Sequence, residues 1–368
     1  MALATLAHDW LRNATLILGL AAAWALVTVQ LGLRRGFEAS SRAVVEHVGG
    51  DVWVGARGAR VIDDGEPVSR SALGAPAACV TRRRPVVVDY AQVRRADGSL
   101  VTVQLVGVDD ASRGRAPWGI VSGDRAELAE AGAIAIDEAD ARKLGLTGAH
   151  PGGVVELRGG ARLRVVAVTR GARSFTQTPY VFTDVRTARA VLSFPEDAAT
   201  FWVHDLDAPP CAAAVKAATQ GRLSALSADE LAESTAAHWV EGSGLGALLG
   251  AGTLTAALVG AAALLQSAIT LVRTYTRELA TLRTLGAARG ELAAFLAWQV
   301  GIVSLLATVV ALAGAAGLAR LLRDSGLVVV VDGWSWAVGI AVAAASTTLA
   351  AVAGGRVLAA IDPREVLE

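Results

Sequence analysis

The sequence predicts an α-helical membrane protein with four transmembrane helices, one before and three after a large α+β extracytoplasmic domain. Three observations predict it. First, four runs contain no Asp, Glu, Lys or Arg: Asn13–Leu33, Gly242–Val272, Leu292–Ala319 and Gly333–Gly355. Each reaches the ~20 residues that a helix needs to cross a ~30 Å hydrocarbon core. Second, the charge is lopsided. The chain has 34 basic and 34 acidic side chains, and 25 and 26 of them lie between Arg34 and Glu241. Third, the short segments between the later runs differ in their arginine content, which orients them. An apolar content of 53% sits only slightly above the soluble norm of about 45–50%, because it averages unlike parts. The pattern excludes a plain soluble enzyme, a disordered chain, a strongly basic nucleic-acid binder and a channel built of helices alone.

Taken in order, residues 1–12 form a cytoplasmic N-terminal segment and 13–33 the first transmembrane helix. That run is longer than the 7–15 residue core of a signal peptide, and no small-x-small cleavage pattern follows it at Gln30–Gly36. Residues 34–241 form the external domain. Within it Ser99–Gly107 alternates polar and apolar positions as a half-buried strand does. Val154–Leu157 and Leu163–Val168 flank Gly159-Gly160, a hairpin pattern. Asp137–Leu144 is expected to be a short helix with an acidic start, stopped by Gly145. Tyr180–Thr183 reads as a strand leading into a helix over Asp184–Leu192, and Pro209–Gly221 as another helix. Residues 242–272, 292–319 and 333–355 are the remaining transmembrane helices. Between them lie a cytoplasmic loop, 273–291, and a short external loop, 320–332; residues 356–368 form a cytoplasmic tail.

The orientation follows from arginine placement. The 273–291 loop carries Arg273, Arg277, Arg283 and Arg289 against Glu278 and Glu291, whereas the 320–332 loop balances Arg320 and Arg323 against Asp324 and Asp332. The basic loop is therefore cytoplasmic. Arg34 and Arg35, at the outer end of the first run, oppose this assignment, but long translocated domains largely escape the charge rule.

Much catalytic chemistry has no residues to carry it. The two lysines, Lys143 and Lys216, neither sit in a Gly-rich loop nor precede Ser or Thr, so a phosphate-binding P-loop is missing. The five histidines, at 8, 47, 150, 204 and 238, lack metal-ligand spacing. Asp63-Asp64, Asp109-Asp110 and Arg82-Arg83-Arg84 are charge runs best read as solvated turns. Cys79 and Cys211 both lie in the external domain, where an oxidising compartment permits a disulfide; they are either bonded or separately buried.

The basic loop is the most informative segment. Tyr275, Leu279, Leu282 and Leu285 recur at three- and four-residue steps, giving one apolar stripe on a short helix. Gly286 supplies a left-handed stop, and a new helix begins from Ala287. Such a helix is suited to docking on a partner, or to lying on anionic headgroups. Gly242, Gly246 and Gly250 form successive G-x-x-x-G steps that let backbones approach closely, either within the chain or across a dimer.

The segment Arg277-Glu-Leu-Ala-Thr-Leu-Arg-Thr-Leu-Gly-Ala resembles the coupling signature of MacB/FtsX-type ABC transporter permeases, and the layout of spans is similar too. Within that family Val29–Leu33, Ala39-Ser40, Gly50–Val54, Gln299 and the ending Ile361–Leu367 resemble the DevC-like branch, typified by heterocyst glycolipid exporters. The resemblance implies a homodimeric permease in the bacterial cytoplasmic (inner) membrane, served by two copies of a separate ABC ATPase that binds the ATP and Mg. The permease itself holds no cofactor. It implies that Arg277, Glu278, Leu279, Leu282, Arg283, Leu285, Gly286 and Ala287 couple to that ATPase, Glu278 and Arg283 by polar contacts and the leucines by filling an apolar groove. A periplasmic adaptor (membrane fusion) protein is a further expected partner, beside membrane lipid. The implied function is export or extrusion of a hydrophobic, lipid-like substrate through motion of the external domain. The alternative is an FtsX-like regulator that passes ATPase motion to an external partner such as a cell-wall hydrolase.

Overall fold

The computed structural model describes residues 10–63, 65–242 and 244–360. Most of the N-terminal segment with His8, Asp64, and the closing Ile361–Leu367 motif lie outside the described residues. Two compact units divide the chain. One comprises residues 37–245 with 326–328, and the other residues 1–36, 246–325 and 329–368.

The first unit is a sheet-rich α+β domain. The strands in chain order are β1 (Val52–Gly55), β2 (Val68–Ser69), β3 (Val80–Arg94), β4 (Leu100–Val108), β5 (Ile120–Gly123), β6 (Ala133–Asp137), β7 (Val154–Leu157), β8 (Arg162–Thr169), β9 (Tyr180–Asp184), β10 (Ala198–Ala199), β11 (Phe201–Leu206) and β12 (Ser224–Ser227). Nine of them run β12-β1-β11-β3-β4-β9-β6-β8-β5 in one mixed sheet, with β7 pairing both β3 and β8. The β4–β9 and β6–β8 pairs are parallel. Alternation along the strands divides the core in two. Trp53, Val86, Val88 and Phe182 point to one face, where Val44, Val45, Leu231 and Ala232 cover them. Val52, Val54 and Val87 point to the other, against Val185, Ala188 and Val215. This is the period-two geometry of a pleated strand buried on both sides.

The predicted hairpin forms, with Gly160 at φ +85° in its turn and Val155 opposite Leu163. The strand over β9 passes into helix α2 (Val185–Leu192), whose first turn is capped by Asp184 accepting from the Arg186 amide. Helix α3 (Cys211–Thr219) occupies the predicted Pro209–Gly221 stretch. Helix α4 (Ala228–Ala237) opens on a reciprocal Ser227–Glu230 capping box.

Two expectations are corrected. No helix forms over Asp137–Leu144. Asp137 ends the fully buried strand β6, and its carboxylate accepts from the Ala139 and Ala172 amides and the Arg173 Nε. The residues after it close as successive turns. Helix α1 (Trp10–Val48) also continues well past Leu33. Arg34, Arg35 and Glu38 are good helix formers, so charge ends the apolar run without ending the helix; the stop comes at Gly49 and Gly50, both with positive φ.

The second unit contains the start of α1 with α5 (Leu245–Thr274), α6 (Thr276–Thr284), α7 (Arg289–Asp324) and α8 (Gly333–Ala359). Helices α1, α5, α7 and α8 are long and apolar enough to cross a membrane. The buried positions of α8 form a narrow stripe of mostly small residues, Ser335, Gly339, Ala343, Ser346, Ala350 and Gly354, while α1, α5 and α7 also bury large ones such as Trp24, Leu264 and Leu296. Small side chains let helices approach where no hydrophobic force drives them together.

Candidate functional site

The predicted coupling segment is α6, and it is nearly continuous with α5. Only Tyr275 separates them, and the turn-to-turn bonding survives across it. The Tyr275 amide donates to the Leu271 carbonyl at 3.1 Å, and the Leu279 amide to the Tyr275 carbonyl at 2.9 Å. The Thr276 hydroxyl donates to the Val272 and Arg273 carbonyls, both at 2.9 Å, a back-bonding known to bend helices. Helix α6 ends where Gly286 takes φ +101°. Its amide reaches the Arg283 carbonyl at 3.1 Å and the Ala287 amide reaches the Leu282 carbonyl at 3.0 Å, the paired bonds of a Schellman stop. The chain then re-enters a helix at Arg289, the Glu291 carboxylate accepting from the Ala288 amide at 3.0 Å.

The faces of α6 differ from the expected single stripe. Ala280 is buried, and Leu279 and Leu282 pack inward on the helical core formed with Leu292 and Leu296. These two leucines, with Leu271, Leu292, Phe295 and Leu296, line a small apolar cavity of about 220 Å³. Half-buried, they pack on the chain's own helices. Leu285 alone of the stripe is presented, at 78% exposure. Beside it Arg277, Glu278, Thr281 and Thr284 are exposed, while Arg283 is half-buried. Periodicity located the stripe but could not say which partner it meets.

The glycine ladder is also broken. Gly242 closes a short π-helical turn (His238–Gly242), and Gly244 has φ +73°, so Gly242 is out of register with Gly246 and Gly250 on α5. A Cβ at Gly250 would meet nothing within 4 Å. Close approaches fall on other glycines. A Cβ at Gly260 would lie 3.1 Å from the Trp24 indole nitrogen, and one at Gly354 would lie 2.8 Å from Leu296 and 3.3 Å from Ala268. The abundance of Ala and Gly hid these positions in the sequence.

In the sheet domain, an aromatic run went unrecognised because its members are far apart in sequence. Phe37 of α1 packs on Phe175 with ring centroids 4.2 Å apart, and Phe175 on Trp239 at 5.0 Å. The Trp239 indole donates to Asp63 at 2.8 Å, and Asp63 also accepts from Gln104. The run ties both ends of the domain, one on α1 and one just before α5, to its body. The neighbouring Tyr90 phenol is pushed up to about 12 by burial first and then by Asp63 and Asp89.

The arginine triplet is not a uniform basic patch. Arg82 pairs with Asp109 at 3.0 Å, Arg83 donates to the Gly74 carbonyl, and Arg84 grips Asp205 through two bonds of 3.0 and 2.8 Å. Cys79 and Cys211 are joined in a disulfide, spanning 132 residues and tying the start of β3 to α3. Among the described residues no group of three or more His, Cys, Asp and Glu gathers to hold a metal.

Comparison with known proteins agrees with this architecture. Residues 14–229 match the MacB-like periplasmic core domain, and residues 250–363 the FtsX-like permease C-terminal family. Among solved structures, the periplasmic region of MacB from Actinobacillus actinomycetemcomitans is 10% identical, covering 51% of this chain and 94% of its own, with a TM-score of 0.38. The extracellular domain of the noncanonic ABC-type transporter YknZ from Gram-positive bacteria is 10% identical, covering 45% and 87%, with a TM-score of 0.33. No curated protein matches the chain. The first family match spans more than half of the chain. This protein belongs to the MacB/FtsX-type permeases, the membrane component of ABC transporters, whose ATPase activity resides in a partner.

Proposed function

We propose that this chain is the permease of a transporter in the bacterial cytoplasmic membrane that works as a homodimer with two copies of a separate ATPase, and that α6 is the element the ATPase grips. The observation that carries this reading is the one-residue joint at Tyr275. It lets a load applied to α6 pass into α5 without unwinding either helix. The contact surface is Arg277, Glu278, Thr281, Thr284 and Leu285, with the Gly286 turn allowing the chain to double back; Leu279 and Leu282 anchor the helix from within. Four spans, with both termini and the 273–291 loop cytoplasmic, place the sheet domain outside the membrane. ATP-driven closure of the ATPases displaces α6, and the domain follows through its ends at Phe37 and Trp239. A ligand shifts such an equilibrium only by its differential affinity for the two states, so the ATPase must hold α6 differently with and without nucleotide.

The cargo class is a hydrophobic, lipid-like molecule, as in the DevC-like branch whose motifs the chain resembles; a periplasmic adaptor completes the path. Among the described residues the stripes buried between α1, α5, α7 and α8 are uncharged. That argues against an ion or strongly polar path through the helices, which intramembrane charges usually mark.

The test is co-purification of the full chain with its ATPase in detergent. Glu278→Arg and Leu285→Asp should abolish association and permease-stimulated ATP hydrolysis, while Leu279→Ala should act through stability of the chain alone. Undiminished association of both outward-facing variants removes α6 from the coupling role. Lipid composition at the cell surface of a deletion strain then separates transport from regulation of a cell-wall hydrolase, since only transport alters it.

A further inference from the structure

A second cavity lies beside the apolar one, and its chemistry is different. It measures about 430 Å³ and is bounded by the beginning of α1, the last turns of α5, Tyr275 and the third turn of α7. Asn13, Gln266, Ser267, Thr270, Tyr275 and Gln299 belong to its polar lining, and among the described residues no Asp, Glu, Lys or Arg borders it. The size falls within the roughly 300–1,000 Å³ of small-molecule sites. Leu271, Tyr275 and Gln299 line both cavities, so the polar and the apolar recess share a wall.

Gln299 stands at that wall. It is 4% exposed, and its Oε1 has no hydrogen-bond partner among the described residues. Leaving a buried amide oxygen unpaired is costly, so this atom is set to accept from a donor on a bound group. The lining also specifies the class of that donor. Amides and hydroxyls both give and accept hydrogen bonds, which suits hydroxyl groups. A phosphate or carboxylate would find no cation among the described lining residues, and burying an unpaired charge is costly. The adjoining recess is lined mainly by leucines and Phe295, with Glu278 its one acidic member among the described residues, and its apolar walls suit a hydrocarbon chain.

We propose that these joined recesses bind a neutral amphiphile, a hydroxyl-bearing head such as an acylglycerol's seated against Gln299 and its acyl chain toward the Leu279–Phe295 recess. The site rests on the membrane placement given above, which puts Asn13, Thr270 and Gln299 near the inner headgroup level. Its position has a consequence for coupling, because Tyr275 is both a wall of the site and the joint between α5 and α6. Occupancy bears directly on that joint. A second copy of this chain is the competing occupant. It is disfavoured because the recess extends to a side chain that is almost wholly enclosed, and because its polar groups surround a volume larger than one inserted side chain fills.

The test uses the full chain, purified and delipidated in detergent, titrated with 1-oleoylglycerol and, as an anionic control, with oleate at pH 7.5. One saturable site per chain is expected, at least tenfold tighter for the glycerol ester. Gln299→Leu should weaken that binding about tenfold, and Ser267→Ala with Thr270→Val should weaken it less. Should Gln299→Leu fail to fold, the Ser267/Thr270 variant and a diazirine-bearing oleoylglycerol take its place, with crosslinks expected at Leu271 or Tyr275. Equal binding of ester and oleate, or binding indifferent to these substitutions, overturns the proposal. So does a shift from dimer to monomer in Gln299→Leu with ester binding intact, which would make the recess a seam between copies. A bilayer-soluble photolabel separates this outcome from failure of the membrane placement: it should still mark exposed Leu258 and Leu305 if only the site is wrong.

Discussion

The sheet domain and the helical unit solve the same packing problem with different materials. The domain core is large and branched: Trp53, Phe182, Phe201, Ile134 and Ile136 are almost wholly enclosed, on strands whose side chains alternate between two faces. Its buried charge is paired, as where Arg173 meets Asp137 at 2.7 Å. The helical unit sets large residues such as Leu20, Trp24, Leu264 and Leu296 against close-packed small ones, most regularly the Ser, Gly and Ala stripe of α8. An aqueous fold gains stability from apolar burial, at about 25 cal/mol per Å², and tolerates charge only in networks. Helices in lipid gain little from burial and depend on close contact. The domain should therefore fail through lost polar partners, and the helical unit through added bulk.

The largest expected effect is in the domain. Asp137 is 0% exposed and serves two amides and one guanidinium. Removing it in Asp137→Ala takes the carboxylate from the Arg173 Nε and from the Ala139 and Ala172 amides, and breaking a buried pair from one side costs about 3–5 kcal/mol. Denaturation of the full chain should show that loss; a change below about 1 kcal/mol would mean water replaces the carboxylate freely.

His204 gives the next effect, and it depends on pH. The ring sits in β11 at 1% exposure with neither nitrogen paired among the described residues. Burial first, then the nearby Arg83, lowers its pKa to about 4, against a smaller opposing pull from Asp205. Between about 4 and the ordinary value near 6.5 the unfolded chain binds more protons at this position than the folded one. The stability contribution is thus complete above about 6.5 and lost as pH falls toward 4. At about 1.4 kcal/mol per pH unit, lowering the pH from 7 to 4.5 should cost roughly 2–3 kcal/mol through this group. His204→Leu should remove that part of the acid sensitivity; equal slopes in variant and wild type would sink the assignment.

The contrast also explains what could be read from the sequence. β4, the β7–β8 hairpin and the β9–α2 junction were legible, because alternation, Gly159-Gly160 and the Asp184 cap are local signals. Four apolar helices were legible from length and composition. The extent of α1 was not, since charge marks where a membrane would end and says nothing about where a helix does. Asp137–Leu144 misled because an acidic residue before Ala-rich sequence looks like a cap, whereas this carboxylate is drawn to Ala172 and Arg173, 35 and 36 residues on. At the candidate site the helix and its glycine stop were visible. Which leucines turn inward was not, because an apolar stripe carries no record of what it faces. Phe175, Trp239 and the Gln299 recess depend wholly on tertiary proximity.

In the helical unit the counterpart of Asp137→Ala is an insertion. Gly354→Val places branched bulk against Leu296 and the Ala268 Cβ, and overpacking of this kind costs about 1–3 kcal/mol. The thermal midpoint in detergent should fall, and Ala268→Gly in the same chain should recover part of the loss. Absence of both effects would show that these helices separate easily and do not depend on close contact.

The smallest effect separates packing within the chain from packing between chains. Gly250 has open space where a side chain would go, and replacing an exposed helical glycine by alanine favours the helix by up to about 1 kcal/mol. Gly250→Ala should therefore be neutral or slightly stabilising for the isolated chain. Its neighbour on the ladder, Gly246, lies one turn earlier on α5, whereas Gly242 falls outside the helix, so at most one G-x-x-x-G step is available to a partner. Gly250→Leu tests that step. If α5 meets its symmetry mate there, the leucine variant should shift the dimer toward monomer in detergent while the monomer's own midpoint stays within about 0.5 kcal/mol of wild type, the usual range for a surface change. An unshifted dimer would place the interface on another face, and the open side of Gly250 would then be packed by lipid.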